Sequence, residues 1–255
     1  MRVSFASATD TGLRRSVNED DLSVREDLGL FVVADGMGGH VAGEVASKAA
    51  IEGIVAFVEA TVSMSPDQTW PFPFDPALSA NGNRLAAGFR MGNRRLSTMT
   101  ASSPELRTMA TTAVAVLIDG GTLTLAHVGD SRIYRLRRGT LERLTCDHSW
   151  VEERVRAGLL SEDQARNHRD RHIVTRAIDG RENLEIDIEE LALEPQDRLL
   201  LCSDGATAVL TDDEIREVLS RDSSLNDLCN ALVQGANDGG GPDNVTAIVL
   251  EINAV

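Results

Sequence analysis

The spacing of apolar residues alternates along the chain between the two-residue repeat of strands and the three-to-four-residue repeat of helices. Apolar or alternating segments predict strands at residues 3–8, 22–25 and 30–34, the last two forming a hairpin that turns at 27–29. Helical spacing covers residues 44–60, and a second helix is predicted over 84–99. Between these helices, the segment around 62–83 is rich in Pro, Ser and Asn and indicates an inserted loop.

The second half of the chain is again dominated by strand patterns. Two hairpins are predicted, 111–118 with 122–128 and 133–137 with 140–144, followed by strands at 184–193, 197–202 and 245–252. Capping boxes beginning at Ser149, Ser161 and Thr211 predict three helices, and helical spacing predicts another at 225–236. These elements predict an α+β fold, a four-layer α-β-β-α sandwich in which two antiparallel sheets are flanked by helices.

Acidic residues recur at the ends of the predicted strands. Asp35 and Asp204 each follow an apolar run and precede a glycine, Asp130 follows Gly129, and Asp243 precedes the final strand. In an antiparallel sheet the end of one strand lies beside the start of its neighbour, so we expect the four aspartates to meet at one edge. Carboxylate and backbone carbonyl oxygens are the ligands that Mg²⁺ and Mn²⁺ prefer.

Composition narrows the classes of function. The 255 residues include 42% hydrophobic residues, enough for a sizeable core, and we expect a single domain over 1–255. Forty acidic against 25 basic residues give a formal charge of −15, which disfavours nucleic-acid coating and binding to an anionic membrane. The three cysteines lack the spacing of a zinc site or a disulfide framework. With no apolar run of ~20 residues and no signal-peptide pattern, we expect a cytoplasmic protein.

A charged turn precedes the second predicted strand, over residues 10–21. It combines Arg14 and Arg15 with Glu19, Asp20 and Asp21. One interpretation is an arginine that grips phosphate beside acids that organise a metal, because a guanidinium matches phosphate oxygens. The other is a solvated surface loop, which is the commoner meaning of such a cluster taken alone.

Taken together, the motifs resemble those of a known family, the bacterial branch of the metal-dependent type 2C serine/threonine protein phosphatases. The resemblance covers nearly the whole chain, and the motifs occur in the family's order. They are Asp10-x-Gly12-x-x-Arg15-x-x-Asn18-Glu19-Asp20, Val33-Ala34-Asp35-Gly36-Met37-Gly38-Gly39-His40, Ala42-Gly43-Glu44, His127-Val128-Gly129-Asp130-Ser131-Arg132, Ser203-Asp204-Gly205 and Gly241-Pro242-Asp243-Asn244-Val245-Thr246.

The resemblance implies hydrolysis of phosphoserine and phosphothreonine on proteins by a water activated between two Mn²⁺ or Mg²⁺ ions. Asp35 would bridge the ions and Gly36 would offer its carbonyl. Asp204 and Asp243 would complete the coordination of one ion, and Glu19 would approach the other ion. Asp20 would lie beside the attacking water, and Arg15 would hold the substrate phosphate.

Two of the departures from the family pattern bear directly on the chemistry. Met37 stands where relatives of the animal type carry a histidine, so His40 could be the general acid, a residue supporting the ligands, or a helix-start residue without a chemical role. Metal-bound water is the alternative acid. Asp130 is the family's ligand of a third ion, shared with Asp204, but Ala208 stands where many relatives carry an aspartate. We therefore expect a weaker third site, since affinity follows ligand charge and count.

Residues 147–180 resemble the family's flap, which borders the active site. Its histidines and arginines would attract a phosphopeptide or would simply belong to an exposed loop. His127 is interpreted as a satisfied core histidine and His148 as a helix-start residue. We expect a monomer whose substrates are phosphoproteins produced by a serine/threonine kinase. Two alternatives remain open: a phosphoprotein-binding sensor without catalysis, and a phosphatase of a small phosphate ester.

Overall fold

The computed structural model describes residues 1–38, 41–64 and 70–254. The strands are β1 (Arg2–Asp10), β2 (Asp20–Arg25), β3 (Leu30–Met37), β4 (Ala110–Thr111), β5 (Ala113–Asp119), β6 (Thr122–Val128), β7 (Arg132–Arg137), β8 (Thr140–Arg143), β9 (Asp187–Ala192), β10 (Arg198–Cys202) and β11 (Val245–Asn253). The helices are α1 (Val41–Thr61), α2 (Ala80–Ser102), α3 (Trp150–Arg156), α4 (Glu162–Arg166), α5 (Asp204–Thr207), α6 (Asp212–Leu219) and α7 (Leu225–Asp238).

The strands form two antiparallel sheets. The first sheet has the order β1-β11-β10-β7-β8, and the second has the order β2-β3-β5-β6-β9 with the short β4 paired to β3. The hairpin β2–β3 pairs Asp20 with Asp35, so two of the acids named above lie opposite each other on neighbouring strands. Both strand pairs predicted in the second half of the chain, β5–β6 and β7–β8, are present and antiparallel.

Three apolar layers hold the sheets and helices together. The innermost lies between the two sheets and includes Phe31, Val114, Leu201 and Ile248. A second packs α1 and α2 on the outer face of the second sheet, and a third packs α6 and α7 on the outer face of the first. The predicted four-layer α-β-β-α sandwich is therefore confirmed. Within the described residues, each helix is too short or too polar to cross a bilayer.

Side-chain caps begin several of the helices. Ser161 and Thr211 form the reciprocal capping boxes that the sequence predicts at the starts of α4 and α6. Ser149 accepts a hydrogen bond from the Glu152 amide at the start of α3, but the box there is incomplete. The Glu152 carboxylate instead accepts from Arg143 on β8, at 3.2 Å. This ion pair fastens α3 to the first sheet.

Other sequence expectations are corrected in detail. The strand predicted at 184–193 begins only at Asp187. The four-residue α5, which starts at Asp204 directly after β10, has no periodic signal in so short a segment. In the inserted loop, of which residues 65–69 lie outside the described part, Trp70 packs edge-on against Phe57 of α1 and against Phe74.

Helices α1 and α2 approach closely through paired glycines. A Cβ added to Gly53 of α1 would lie 2.5 Å from the Gly92 Cα of α2, far inside van der Waals contact. A Cβ on Gly88, four residues earlier in α2, would meet its nearest neighbour in Ile54 at 3.4 Å, an ordinary contact. The crossing therefore depends on Gly53 and not on Gly88.

We expect Gly53→Ala to lower the free energy of unfolding by about 1–3 kcal/mol, since overpacking forces rigid backbones apart. Gly88→Ala, the matched control, should be neutral or stabilising by up to about 1 kcal/mol, because alanine has the higher helix propensity. Urea unfolding followed by circular dichroism measures both. Equal effects of the two substitutions would contradict the proposed close contact.

Candidate active site at the rim between the sheets

The predicted acids gather at one rim of the sandwich, and both sheets contribute. Asp35 near the end of β3 and Asp130 just after β6 come from the second sheet, whereas Asp204 after β10 and Asp243 before β11 come from the first. The charges on Asp20, Asp130 and Asp204 act on Asp35, and the charge on Asp243 acts on Asp204. The single edge predicted for one sheet is thus a rim shared by two.

The carboxyl groups of Asp35 and Asp204 lie close enough to interact directly, and they can share a hydrogen bond only when one of them is protonated. Burial, followed by repulsion from the neighbouring acids, holds the pKa of Asp35 well above its usual range. Burial and repulsion from Asp243 also raise the pKa of Asp204, although the hydrogen bond with Asp35 and the nearby His172 oppose the rise. Two carboxyls this close cannot both be ionised unless a cation stands between or beside them.

Asp130 and Asp20 are two further buried acids whose pKa values are raised. Burial raises the pKa of Asp130 well above its usual value, and repulsion from Asp204 adds to the shift. Burial likewise raises the pKa of Asp20 to about 7, despite the hydrogen bond of 2.7 Å that the Ser203 hydroxyl donates to its carboxylate. The rim therefore holds at least four carboxyl groups that resist ionisation together.

Glu19 and Gly36 meet at a close backbone approach. The Gly36 amide donates to the Glu19 carbonyl at 3.1 Å, and a Cβ on Gly36 would lie 2.1 Å from the Gly43 carbonyl oxygen. A Cβ on Gly43 would lie 2.2 Å from the Glu19 Oε1 atom. Glycine at 36 and 43 is therefore required for β3, the start of α1 and the Glu19 carboxylate to lie together.

Arg15 lies on the solvent side of the cluster. Its guanidinium donates to the Asp243 carboxylate at 2.7 Å, with the two side chains 48% and 32% exposed. This hydrogen bond raises the pKa of Arg15 above its ordinary value. The predicted phosphate-binding arginine is therefore beside the acids and accessible, and in this structure its partner is one of the predicted metal ligands.

The donor set fits Mg²⁺ or Mn²⁺. All the converging side-chain atoms are carboxylate oxygens, the hard ligands that these ions prefer. Within the described part of the chain, Asp204 Oδ1 and Asp20 Oδ1 are buried without a hydrogen-bond partner. Buried acceptors without donors, among acids whose pKa values are raised by burial and mutual repulsion, are groups that a bound divalent cation would satisfy.

Three residues to which the sequence assigned no role hold the acids in place. The Thr112 amide and the Thr111 hydroxyl both donate to the Asp35 carbonyl, at 2.9 and 2.8 Å. The buried Asn244 accepts from the Glu19 amide at 2.8 Å and donates to the carbonyls of Thr11 and Val17, at 2.8 and 2.9 Å. The sequence signal for Asn244 was its position next to Asp243 in the last motif.

The roles that the sequence predicts for the histidines agree only in part with the structure. His40 lies outside the described residues. Met37 is half-buried at the end of β3. His127 is buried in β6 as expected, but only its Nε2 is satisfied, by the Cys146 carbonyl at 2.9 Å. His148 is more than a helix-start residue, because its ring accepts a hydrogen bond from the Gly129 amide at 3.0 Å.

A pocket of about 290 Å³ opens beside the rim, between the acids and the flap. Asp130, Asp204 and Ala208 lie on its rim side, and Arg166, Arg171 and His172 lie on its flap side. Arg169, Arg176 and His168, which also belong to the flap, have local partners. Arg169 pairs with Asp170, Arg176 pairs with Asp187, and His168 stacks on Trp150 with ring centroids 4.9 Å apart.

Comparison with known proteins agrees with this geometry. The sequence profile described as Protein phosphatase 2C matches residues 13–239. The serine/threonine phosphatase stp of Listeria welshimeri is 34% identical over 251 residues, covering 96% of this chain and 94% of the relative. PstP of Mycobacterium tuberculosis is 36% identical over 250 residues, which span 98% of this chain but 45% of that longer protein.

Solved structures give the same result. The crystal structure of M. tuberculosis PstP/Ppp superposes with a TM-score of 0.88 at 33% identity, covering 100% of both chains. The catalytic domain of PstP in complex with two manganese ions superposes with a TM-score of 0.84 at 32% identity, covering 99% of both. That second structure has a pair of Mn²⁺ ions on the same fold.

The raised pKa values predict a pH dependence of the metal-free protein. Asp20 has a pKa of about 7 when folded, against about 3.9 when unfolded, so the folded state binds more protons between these values. Stability in chelator should therefore fall as pH rises from about 4 to 7. Thermal melting from pH 5 to 8 measures this, and Mn²⁺ should raise the Tm most at the upper end.

Asp20→Asn is the matched variant, because asparagine still accepts from Ser203 but cannot ionise. Its melting temperature in chelator should fall less steeply with pH than that of the wild type. A steeper fall, or identical slopes, would contradict the assignment of a raised pKa to Asp20.

Proposed function

The chain belongs to the protein phosphatase 2C family, and on that premise we propose how its own residues perform the family's reaction. It is a metal-dependent serine/threonine protein phosphatase. The observation that supports the residue assignment most strongly is the close approach of Asp35 and Asp204, two buried acids contributed by different sheets, whose carboxyl groups interact directly and whose pKa values are both raised.

Glu19, Asp35, Gly36, Asp204 and Asp243 would hold the ion pair. The charge on Asp204 acts on Asp35, and the Glu19 carboxylate lies against Gly43, whose carbonyl closely approaches Gly36. Asp243 and Asp204 lie near enough for their charges to interact. When bound, a pair of divalent ions lowers the pKa of a water and neutralises charge on a phosphoryl oxygen.

Asp20 would orient the attacking water, and Arg15 would bind the phosphate. The hydrogen bond from Ser203 fixes one Asp20 oxygen and leaves Oδ1 available to a water. Arg15 would exchange its pairing with Asp243 for the substrate's equatorial oxygens, whose charge a guanidinium stabilises during in-line attack. This sequence of roles requires no covalent phosphoenzyme, and none of the chain's cysteines takes part.

Either His40 or a water held by the ions would donate the proton to the leaving serine or threonine oxygen. A third ion at Asp130 and Asp204 would bind more weakly than in relatives with an additional acid, because Ala208 offers the pocket no carboxylate. The chain 1–255 would act as one catalytic domain.

The substrates would be phosphorylated proteins made by a serine/threonine kinase. Arg166 and Arg171, which line the pocket together with His172 and the acidic Glu152 and Glu162, support this, because guanidinium groups beside the rim attract phosphopeptides to an otherwise acidic protein. The phosphatase would act as a cytoplasmic monomer in signalling. A non-catalytic sensor is disfavoured, since Asp35, Asp204 and Asp243 are all present and converge.

Hydrolysis of a phosphothreonine peptide tests the metal mechanism. We expect turnover with Mn²⁺, none above background in chelator, and a loss of about 10³-fold in kcat for Asp35→Asn, since the ions contribute several kcal/mol to the barrier. Phosphate release measures all three. Asp213→Asn, an exposed acid on α6, is the control and should leave kcat unchanged.

Full activity of Asp35→Asn, or activity that survives chelation, would rule out the assigned mechanism. No turnover by the Mn²⁺-loaded wild type would favour the sensor. A small aryl phosphate hydrolysed far better than the peptide would favour the small-ester alternative.

Arg15→Ala separates phosphate binding from metal binding. We expect the KM for the phosphopeptide to rise about tenfold or more, as for a lost hydrogen bond to a charged group. Mn²⁺ affinity, measured by calorimetry, should not fall, because the substitution also removes a competitor for Asp243. Arg14→Ala is the neighbouring control, and equal KM changes in both variants would contradict a specific role for Arg15.

A further inference from the structure

A cluster of two buried histidines and one exposed aspartate lies beside the rim without belonging to it. His127 on β6, His148 just before α3 and Asp187 at the start of β9 lie with their ligand atoms within 4.8 Å of one another. The two imidazole rings are stacked, with centroids 4.6 Å apart and planes inclined by 15°. Arg176, near the end of the flap, donates to Asp187 at 3.0 Å and completes the group.

The hydrogen bonds determine which ring nitrogens carry protons. Burial lowers the pKa of both His127 and His148, so both rings are neutral at pH 7. His148 Nδ1 accepts from the Gly129 amide at 3.0 Å, so the proton of this ring lies on Nε2. That Nε2–H donates to Asp187 Oδ2 at 3.2 Å. The Arg176 Nη1 atom lies 3.3 Å from the same Nε2, but both atoms are donors in this tautomer, so that contact is not a hydrogen bond and both groups donate to the Asp187 carboxylate.

This arrangement argues against a metal ion in the cluster. The Nε2 atom of His148 bears a proton and not a lone pair, and the Arg176 guanidinium already supplies a cation to Asp187. Stacked rings also direct their in-plane lone pairs side by side, whereas ligands of one ion must point at a common centre. His148, Asp187 and Arg176 therefore form a hydrogen-bonded relay, and the His127 ring stacks against His148.

One end of the relay is the turn that carries Asp130. His148 and Gly129 exchange two hydrogen bonds, since the His148 amide also donates to the Gly129 carbonyl at 2.9 Å. Gly129 has φ +108°, and a Cβ there would lie 2.4 Å from the Thr112 side chain. The turn is thus buried and unusual in backbone conformation, and His148 satisfies its amide.

The other end of the relay is the base of the flap. The Thr175 amide donates to the His148 carbonyl at 2.7 Å, and Ser149 and Val174 form an isolated antiparallel bridge. Both ends of the flap therefore meet at His148. Its Nε2 and Arg176 converge on Asp187, which ties this meeting point to β9.

We propose that His148 is a positioning residue whose two ring nitrogens have separate tasks: Nδ1 fixes the Asp130 turn, and Nε2, through Asp187 and Arg176, fixes the base of the flap. The proposal rests on Asp130 being a metal ligand, as proposed above. It extends that function by connecting the cation site to the element that borders the substrate pocket.

Two substitutions separate the tasks. In His148→Asn the amide oxygen occupies the place of Nδ1 and can still accept from Gly129, but the link to Asp187 is lost. In His148→Gln the amide nitrogen occupies the place of Nε2 and can still donate to Asp187, but the Gly129 amide loses its acceptor. Asp187→Asn removes the charge at the flap end alone.

The experiment measures Mn²⁺ binding without substrate by electron paramagnetic resonance, and KM and kcat with a phosphothreonine peptide. We expect His148→Gln to weaken the lowest-affinity Mn²⁺ site about tenfold with little change in KM at saturating Mn²⁺. We expect His148→Asn and Asp187→Asn to retain Mn²⁺ affinity within about twofold and to raise KM several-fold. Side-chain ¹⁵N spectra should show the Nε2–H form of His148.

Several results would overturn the proposal. If all three variants lose Mn²⁺ affinity and peptide affinity in proportion to their loss of Tm, the role is structural only. If Zn²⁺ binds at one equivalent that His127→Ala abolishes, the cluster is a metal site. Asp130→Asn is the separate check of the premise. If this variant binds Mn²⁺ as the wild type does, the assignment of Asp130 as a ligand fails. If Asp130→Asn loses Mn²⁺ affinity but His148→Gln does not, the proposed role of His148 fails while the ligand assignment stands.

Discussion

Repulsion among buried carboxyl groups is the constraint on which the rest of the site depends. Asp20, Asp35, Asp130 and Asp204 are all brought to one rim, and burial and mutual repulsion raise the pKa of each. A fold gains nothing in stability from such a cluster. Its retention makes sense only with a function that needs concentrated negative charge, and binding divalent cations is that function.

Uncharged polar residues around the rim hold the mutually repelling acids in position. Asn244 joins the charged loop 10–19 to the start of β11, Ser203 holds Asp20, and the Thr111–Thr112 pair holds the backbone of Asp35. Most of these contacts join backbone groups and uncharged side chains, so they persist whatever the protonation state of the acids. Glycines at 36 and 43 allow the backbones to approach closely enough for one Glu19 carboxylate to reach the site.

The sequence predicted the architecture well, because alternation, turn residues and capping boxes are local signals and the layers follow from them. It also predicted the acids of the rim, since Asp-Gly at the ends of apolar runs is visible without coordinates. It did not predict the sharing of the rim between two sheets, because strand order is not encoded in spacing. Nor could it predict the pairing of Arg15 with Asp243 or of His148 with Gly129, which join residues 228 and 19 positions apart.

The division of the ligands between the sheets has a mechanical consequence. Asp35 lies in β3 of the second sheet, and Asp204 follows β10 of the first. The two sheets otherwise touch mainly through apolar side chains, which resist sliding weakly because their contacts are non-directional. An ion bound by both acids would cross-link the two sheets. With the ion bound, the two sheets would then unfold together as one cooperative unit. Without the ion, each sheet would fluctuate independently of the other.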